Sequence, residues 1–300
     1  MNATFPMFDQ KSKKELNQNI AGDIIRCCQK VNRPVIVLID GKSAAGKSTM
    51  AEALKILLEK QNQPACVIEA DWFLKERDFR IAELRRIITT RKVYINSHVE
   101  FWDWDELKRQ LQIIYDLALT GGQLTLRNLY IRGQSETIKG LIIPKNSVIL
   151  VPGCYIMSQD INDDLSIMIY VNREEGRRRK IDREYQKAKE GFFPEIEAMG
   201  TAILCWELLE EPTFLYHMIT YGNKAQIIVD NSGPGKINVI KYNMRLIKSM
   251  AQIGRYDPEI TRFIYDLSEL GKEIIEIIQS RKAGEIRVQG EGSEVIVAFN

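Results

Sequence analysis

Short apolar runs alternate along the chain with longer segments in which apolar residues recur at helical spacing. Runs of this kind, rich in β-branched residues, are typical of strands buried on both faces of a sheet. Strands are predicted at 34–40, 66–70, 147–153, 165–171 and 225–230, and two further short strands within 124–143. Strands that alternate with helices predict an α/β fold with a mostly parallel sheet covered by helices on both faces.

Helical spacing occupies most of the chain between these runs. Helices are predicted at about 13–31, 47–59, 77–91, 104–119, 173–190 and within 194–221. The turn-rich stretch 231–235 (NSGPG) is a candidate boundary, and it divides the chain into a main domain, 1–235, and an appendage, 236–300. In the appendage, helices are predicted at about 239–252 and 257–281, before a terminal β-hairpin.

Composition and charge exclude several classes of protein. A hydrophobic content of 45% and a charged content of 27% are those of a globular protein. A net charge of +2 gives no field that would favour nucleic acid or an acidic membrane as partner. No apolar run is long enough for a signal peptide or a membrane span. Five cysteines without CxxC spacing indicate reduced thiols, so we expect a cytoplasmic protein.

Residues 41–48, GKSAAGKS, fit the phosphate-binding pattern G-x-x-x-x-G-K-[ST] at every fixed position, between a predicted strand and a predicted helix. Glycines let successive backbone N–H groups form a concave anion site, and the helix N-terminus adds its positive dipole end. Lys47 is predicted to reach the β- and γ-phosphates of a nucleotide, and the Ser48 hydroxyl to bind Mg²⁺. The predicted nucleotide-binding residues are Gly41, Ser43, Ala44, Ala45, Gly46, Lys47, Ser48 and Thr49.

This loop occurs in kinases, GTPases, ATPases and motor proteins. The guanine-specificity pattern N-K-x-D is absent, since the nearest string, 223–226 (NKAQ), lacks the aspartate. A strand that ends in paired acids, as in many motor ATPases, is also absent from the sequence. These absences favour the kinases.

Residues 33–231 resemble the uridine kinase and phosphoribulokinase family of P-loop kinases, which also includes bacterial pantothenate kinase. The first shared motif is 38–49, LIDGKSAAGKST. The resemblance implies ATP as co-substrate, Mg²⁺ as cofactor, and phosphoryl transfer to a hydroxyl of a small metabolite, with nucleosides of the uridine or cytidine type first. Open alternatives are a kinase of another sugar or of a pantothenate-like alcohol, and a nucleotide-binding sensor or scaffold without turnover.

A second motif, 68–73 (IEADWF), resembles the family's strand-end aspartate followed by aromatic residues. The resemblance makes Asp71 the general base and a metal ligand. A carboxylate at this end of a parallel strand would also face the crevice where doubly wound sheets bind ligands, where it could accept the proton of an attacking hydroxyl. The alternative is an aspartate that caps the next helix.

Two further segments resemble substrate-binding parts of the family. Residues 98–105, HVEFWDWD, are similar to its His-Pro-Asp-x-Phe-Asp segment, which makes His98 and Glu100 candidates for substrate binding. From the residues alone, Asp103 or Asp105 caps the following helix. Tyr130 matches a base-contacting tyrosine of the family, although a buried strand tyrosine is the alternative.

Residues 179–184, RKIDRE, resemble the family's lid sequence Arg-Arg-Ile-x-Arg-Asp, within the predicted helix 173–190. The resemblance makes Arg179 and Arg183 catalytic residues. Four positions apart on a helix, their guanidinium groups would clamp ATP phosphates and offset developing charge. A solvated basic helix is the alternative.

One position departs from the family. Where the family often ends a later strand in a magnesium-linked Glu before Gly, this chain has 151–153, Val-Pro-Gly. Mg²⁺ is then held by Ser48, Asp71, phosphates and water, or another acid such as Glu69 helps. Residues 236–300 are either a packed appendage or the contact of a homo-oligomer.

Overall fold

The computed structural model describes residues 9–31, 33–90, 92–94, 98–131, 134–190, 206–233, 236–242, 285–290 and 293–298. The described strands are β1 (Asp9–Ser12), β2 (Val35–Gly41), β3 (Ala65–Val67), β4 (Lys92–Tyr94), β5 (Gly122–Ile131), β6 (Gln134–Ile143), β7 (Val148–Gly153), β8 (Leu165–Tyr170), β9 (Ile227–Asp230), β10 (Lys236–Tyr242), β11 (Glu285–Gly290) and β12 (Ser293–Ala298). The described α-helices are α1 (Lys13–Val31), α2 (Lys47–Glu59), α3 (Arg77–Thr90), α4 (Trp104–Thr120), α5 (Arg173–Lys189) and α6 (Glu211–Tyr221).

Seven of the described strands form the main sheet, in the order β1-β10-β9-β8-β2-β7-β3. Five of them, from β3 to β9 in that order, are parallel, and β10 and β1 add antiparallel at one edge. The predicted mostly parallel sheet is confirmed. Because β2 lies between β7 and β8, the loop after β2 leaves the sheet among the carboxyl ends of its neighbours, which is where such sheets bind ligands.

Both faces of the sheet are buried, which is why the central strands read as continuous apolar runs. Successive side chains of a strand point to opposite faces. In β2, Val35, Val37 and Ile39 pack in one cluster with α1 and α2. Ile36 and Leu38 pack in the other cluster, with α4 and α6. The chain therefore forms three layers, helix, sheet and helix, as the sequence predicts.

Two smaller sheets lie outside the main one. Strands β5 and β6 form an antiparallel pair, which confirms the two strands predicted within 124–143. Strands β11 and β12 form the predicted terminal hairpin, and β12 also pairs in parallel with β4. None of the described helices is long and apolar enough to cross a membrane.

The structure corrects two predicted elements. The strand predicted at 66–70 ends at Val67, and Asp71 lies in a single 3-10 turn, Ala70–Phe73. The helix predicted from about 239 is wrong at its start, because Lys236–Tyr242 are β10 and pair with β9. Residues 243–284, with the remaining predicted helices, lie outside the described part of the chain. The division at 235 stays a prediction.

Candidate active site

The loop between β2 and α2 needs glycine at two positions. A side chain on Gly41 would bring a Cβ atom to 2.5 Å from the Ile169 carbonyl oxygen of the neighbouring strand β8. Gly46 caps α2 with a left-handed backbone, φ +100°, which a residue with a Cβ adopts at a cost. The loop is closed by a hydrogen bond from the Ala45 N–H to the Lys42 carbonyl, 3.1 Å. These contacts hold the loop against the N-terminus of α2, as an anion site requires.

Lys47, in the first turn of α2, is buried beside the end of β7. Its Nζ donates to the Lys42 carbonyl at 2.9 Å and lies 3.2 Å from the Cys154 Sγ. Burial opposes its charge, yet the neighbouring Cys154 and Asp71 hold the pKa of Lys47 above its ordinary value. Burial also raises the pKa of the Cys154 thiol to about 11. Lys47 is therefore a fixed positive charge within the loop.

Two carboxylates stand beside the loop on the segment after β3. The Ser48 hydroxyl donates to Glu69 Oε2 at 2.9 Å. Asp71 is exposed, and its Oδ1 accepts a hydrogen bond from Trp102 Nε1 at 3.3 Å. Burial raises the pKa of Glu69 to about 6, and the negative charge of Asp71 adds to that effect. The Ser48 hydroxyl, at the end of the phosphate-binding loop, therefore lies beside the carboxylate of Glu69, with Asp71 on the same segment.

These groups fit the magnesium ion that P-loop kinases use. Mg²⁺ prefers hard oxygen ligands, is bound through one or two carboxylates and nucleotide phosphates, and keeps several waters. Ser48 and Glu69 bring a hydroxyl and a carboxylate oxygen together. Within the described residues, no group of three or more His, Cys, Asp or Glu is arranged to hold a metal ion by itself, so nucleotide phosphates and water would have to complete the coordination.

Asp40, the residue before the loop, is fully buried and organises the end of the sheet. Its carboxylate accepts hydrogen bonds from the backbone N–H groups of Gly41, Tyr155 and Met157, at 2.6, 3.1 and 2.9 Å. It also lies 2.7 Å from His217 Nε2 on α6. Burial opposes ionisation, but His217 and the Met157 N–H hold the pKa of Asp40 below its usual range. Asp40 thereby joins the start of the loop to the turn after β7.

Lys42, the second residue of the loop, is turned inward. Its Nζ forms an ion pair with Glu211 Oε2 at 2.6 Å, and both side chains are almost completely buried. The same Nζ lies 4.7 Å from the ring centre of Trp206, a favourable cation–π distance. Glu211 begins α6 directly after a turn of π-helix, Trp206–Glu210. The ion pair therefore fastens the phosphate-binding loop to α6.

Helix α5 brings two cations to the loop. Arg183 Nη2 lies 2.7 Å from Ser43 Oγ, and Lys180 Nζ lies 3.5 Å from the same atom. Lys180 also pairs with Glu210 at 2.6 Å. Burial opposes ionisation of Glu210, but Lys180 holds its pKa at about 2. The two side chains are placed as a lid over a bound phosphate would need.

Arg179, the other predicted lid arginine, makes different contacts. Its Nε pairs with Glu175 at 2.6 Å, and its Nη2 donates to the Asn231 carbonyl at 2.8 Å. Asn231 in turn donates from Nδ2 to the Ala45 carbonyl. Arg183 therefore contacts the loop itself, whereas Arg179 reaches it through Asn231.

The three predicted substrate-binding residues lie in different surroundings. His98 is buried among aromatic rings, with Nδ1 2.8 Å from the Tyr155 hydroxyl. Tyr130, on β5, carries the Arg80 guanidinium 4.5 Å above its ring. Glu100 is exposed and lines a pocket of about 210 Å³. The other residues that line this pocket are Val99, Trp104, Ser158, Gln159, Thr213, Tyr216, His217 and Tyr221.

The pocket adjoins the surroundings of Asp71. Trp102, which donates to Asp71, stacks on Trp104 in the pocket wall with ring centres 5.6 Å apart. The Tyr155 ring packs edge-on against the rings of Trp102 and His217, with ring centres 5.8 and 5.4 Å apart. One aromatic layer therefore links the pocket to the carboxylate.

His98 predicts a pH dependence of stability. Burial lowers its pKa to about 4, while an unfolded histidine titrates near pH 6.5. The stabilising contribution of neutral His98 is therefore complete above about pH 6.5 and is lost as the pH falls towards 4. We expect His98→Gln to lessen the acid-induced loss of unfolding free energy by up to about 3 kcal/mol, measured by urea unfolding at several pH values. Parallel pH curves for the two proteins would contradict this prediction.

Several residues of this site escaped the sequence analysis: Asp40, Lys42, Cys154, Glu210, Glu211 and His217. The only sign in the sequence was the pair of acids within the apolar stretch 208–215, LLEEPTFL. Acids buried in such a stretch need a cationic partner. Spacing along the chain does not say which cation that is.

No protein-family profile matches this chain, and no curated protein matches it. Solved structures do. D-glycerate 3-kinase from Cryptococcus neoformans var. grubii is 12% identical, with 75% of this chain and 99% of that chain covered at a TM-score of 0.50. Phosphoribulokinase from Rhodobacter spheroides is 16% identical, with 82% and 98% covered and a TM-score of 0.47. A possible uridine kinase from Bacillus stearothermophilus is 17% identical, with 70% and 98% covered and a TM-score of 0.45.

At 12% identity, the likeness to D-glycerate 3-kinase concerns the fold alone. It agrees with the five parallel strands of the main sheet and with the loop that joins β2 to α2. The predicted resemblance is confirmed at that level: this chain has the α/β fold of the P-loop kinases.

Proposed function

We propose that the protein is an ATP-dependent kinase that phosphorylates a hydroxyl group of a small metabolite, with nucleoside-like acceptors first. The observation that carries the proposal is the arrangement at the carboxyl edge of the sheet. There Lys47 and Ser48 begin α2, and Asp71 stands close enough for its charge to act on Lys47. This arrangement combines a phosphate site with an exposed carboxylate, which is what phosphoryl transfer to an alcohol needs.

In the proposed reaction the acceptor oxygen attacks the γ-phosphorus of ATP. The bond between that phosphorus and the β–γ bridging oxygen breaks, and ADP leaves. Asp71 takes the proton of the acceptor hydroxyl, since a carboxylate within hydrogen-bond reach can act as general base. Lys47 and the loop N–H groups hold the phosphates, and Arg183 and Lys180 offset the charge that develops on the transferred group.

Magnesium, held by Ser48 together with Asp71 or Glu69, would neutralise phosphate charge when bound. The protein's own contribution is to orient the phosphates and to exclude water. Lys180 and Arg183 exclude water when they lie over the loop, where both contact Ser43. Arg179 is proposed to join them when nucleotide replaces its contact with Asn231.

The proposed acceptor site lies between Asp71 and the pocket lined by Glu100. The Glu100 carboxylate can accept hydrogen bonds from ribose-like hydroxyls, and Trp104 and Tyr216 offer flat apolar faces for a ring. His98 and Tyr130 are proposed to complete the site. We place the reaction in the cytoplasm, with ATP and the acceptor as partners.

The test is ADP release measured with a panel of nucleosides, sugars, sugar alcohols and pantothenate. We expect turnover with one acceptor class, and we expect Lys47→Ala to lower it by about 10²–10³, the usual effect of losing one charge-stabilising donor. Lys55→Ala is the matched control, because Lys55 lies on the same helix and forms an ion pair with the surface residue Glu59, away from the loop. Undiminished turnover by Lys47→Ala would contradict the assignment of this loop as the ATP site. ADP binding with no turnover on any acceptor would favour a sensor.

The lid predicts a difference between neighbouring arginines of α5. Arg183→Lys keeps the charge but loses the planar fork at Ser43. We expect kcat to fall at least tenfold with little change in ATP affinity, as for an interaction made mainly in the transition state. Arg178 pairs with Glu175 and Asp182 on its own helix, so Arg178→Lys should leave kcat unchanged. Equal losses in both variants would mean that the helix is only a basic surface.

A further inference from the structure

We infer that Glu69 supplies the carboxylate that holds the magnesium ion of the nucleotide, together with the Ser48 hydroxyl, so that Asp71 is left free to act as the base. The inference rests on the proposed function. It assigns different tasks to two acids that lie two positions apart on one short segment.

The end of β7 offers no carboxylate. Its last residues are Pro152 and Gly153, and the next residue, Cys154, has a buried thiol beside Lys47. The side chains of proline and glycine have no atom that can bind a metal ion, and a neutral thiol is a poor ligand for a hard cation. A carboxylate for the metal must therefore come from another segment beside the loop, and the segment after β3 provides one.

Glu69 is held in place by the backbone on both sides. The preceding Ile68 N–H donates to the Leu150 carbonyl of β7 at 2.9 Å, which extends the sheet by one bond beyond β3. The Glu69 carbonyl accepts from the Trp72 N–H at 3.1 Å and starts the 3-10 turn. The carboxylate is directed at α2, where Oε2 accepts from Ser48 at 2.9 Å. A hydroxyl and a carboxylate at hydrogen-bond distance can both turn to one small cation.

The negative charge of the Glu69 carboxylate also favours a bound cation. Within the described residues, no lysine or arginine nitrogen lies within ion-pair distance of the Glu69 carboxylate. The charge of Lys47 acts on Glu69, but the Lys47 Nζ is engaged by Cys154 and the Lys42 carbonyl. Asp71 stands on the same segment and brings a second negative charge. A divalent ion between Ser48 and Glu69 would satisfy this unpaired acid.

The two acids differ in ways that suit two tasks. Glu69 is partly buried and faces the loop hydroxyl, whereas Asp71 is exposed and is oriented by Trp102 from the other side. A metal ligand needs to be fixed beside the phosphates, and a base needs access to the acceptor. Glu69 meets the first condition and Asp71 meets the second.

The test uses Mn²⁺ as a paramagnetic substitute for Mg²⁺, titrated into the full-length protein with ADP and followed by electron paramagnetic resonance. We expect Glu69→Gln to weaken Mn²⁺ binding in the ADP complex by at least about tenfold, the lower end of what lost metal-site contacts cost. ADP affinity measured in EDTA should not change. Glu52→Gln is the control, because Glu52 is an exposed acid on α2 one turn after Ser48.

The outcomes separate this inference from the proposed function. Mn²⁺ affinity unchanged in Glu69→Gln but lost in Asp71→Asn would overturn the inference and make Asp71 the metal carboxylate. Failure of the wild-type protein to bind ADP at all would instead overturn the nucleotide site. Glu69→Asp keeps the charge and draws it back by one methylene, so we expect an affinity between those of the wild type and Glu69→Gln. Equal affinity in all three proteins would contradict a role for Glu69.

Discussion

Asp71→Asn is expected to leave nucleotide binding intact and to lower kcat by about 10²–10⁴, the usual contribution of a positioned general base. Asparagine keeps the size of the side chain and can still accept the hydrogen bond that Trp102 donates to Oδ1. It cannot take a proton from the acceptor hydroxyl. The measurement is single-turnover ADP formation at saturating acceptor, with ADP affinity determined separately.

The alternative for Asp71, that it caps a helix, predicts a loss of stability in place of a loss of rate. The structure provides a comparison in Asp103, which caps α4 by accepting from the Glu106 N–H at 3.0 Å. Asp103→Ala should cost about 0.5–2 kcal/mol of unfolding free energy and leave kcat unchanged. If Asp71→Ala loses stability in that way, and Asp71→Asn keeps kcat within a few-fold of wild type, Asp71 is not the base.

Glu211→Gln is expected to destabilise the fold by about 3–5 kcal/mol, because it leaves the positive charge of Lys42 buried without a partner. The side chains of Lys42 and Glu211 are 0% and 1% exposed, and their charged atoms are 2.6 Å apart. The aromatic rings around Lys42 offset only part of the loss. Urea unfolding of the purified variants measures the difference in unfolding free energy.

Two features distinguish this effect from a general loss of packing. Burial lowers the pKa of Lys42, and Glu211 opposes that shift. Without Glu211, the folded protein binds the Lys42 proton less tightly than the unfolded chain does. The loss of unfolding free energy caused by Glu211→Gln should therefore become smaller as the pH rises towards the pKa of a lysine in the unfolded chain. The double variant Lys42→Met with Glu211→Leu should recover most of the stability.

The surface pair of Lys55 and Glu59 is the matched control. Its charged atoms are 2.8 Å apart, but its side chains are 32% and 45% exposed. Glu59→Gln should therefore change the unfolding free energy by less than about 1 kcal/mol. A similarly small effect of Glu211→Gln would show that the buried pair does not anchor the loop.

Short-range pattern was sufficient for most of the main domain. β2 and α2 follow from a continuous apolar run, two glycines and a helical repeat, all within 26 residues, 34–59. α5 follows from its helical repeat in the same way. Such features depend on contacts between residues near in sequence, which is why their positions could be predicted.

Predictions failed where a neighbour in space outweighed local preference. Lys236–Tyr242 form a strand because the open edge beside β9 offers them backbone partners. The segment after Val67 leaves strand geometry and turns, which places Glu69 opposite Ser48. Periodicity contains no information about either event, since both depend on which element packs alongside.

By itself, the sequence determined the three-layer α/β architecture, the phosphate-binding loop of residues 41–48 and the helix that carries Arg183. Only the tertiary structure decided which charges meet there. Lys42 and Glu211 are 169 positions apart, and Asp40 and His217 are 177 apart. A buried charge needs a partner of opposite charge. The sequence contains many acids and bases, and it does not show which of them will be that partner. The choice is made by the packing of α6 against the carboxyl end of β2, where desolvation leaves only the groups already within hydrogen-bond reach.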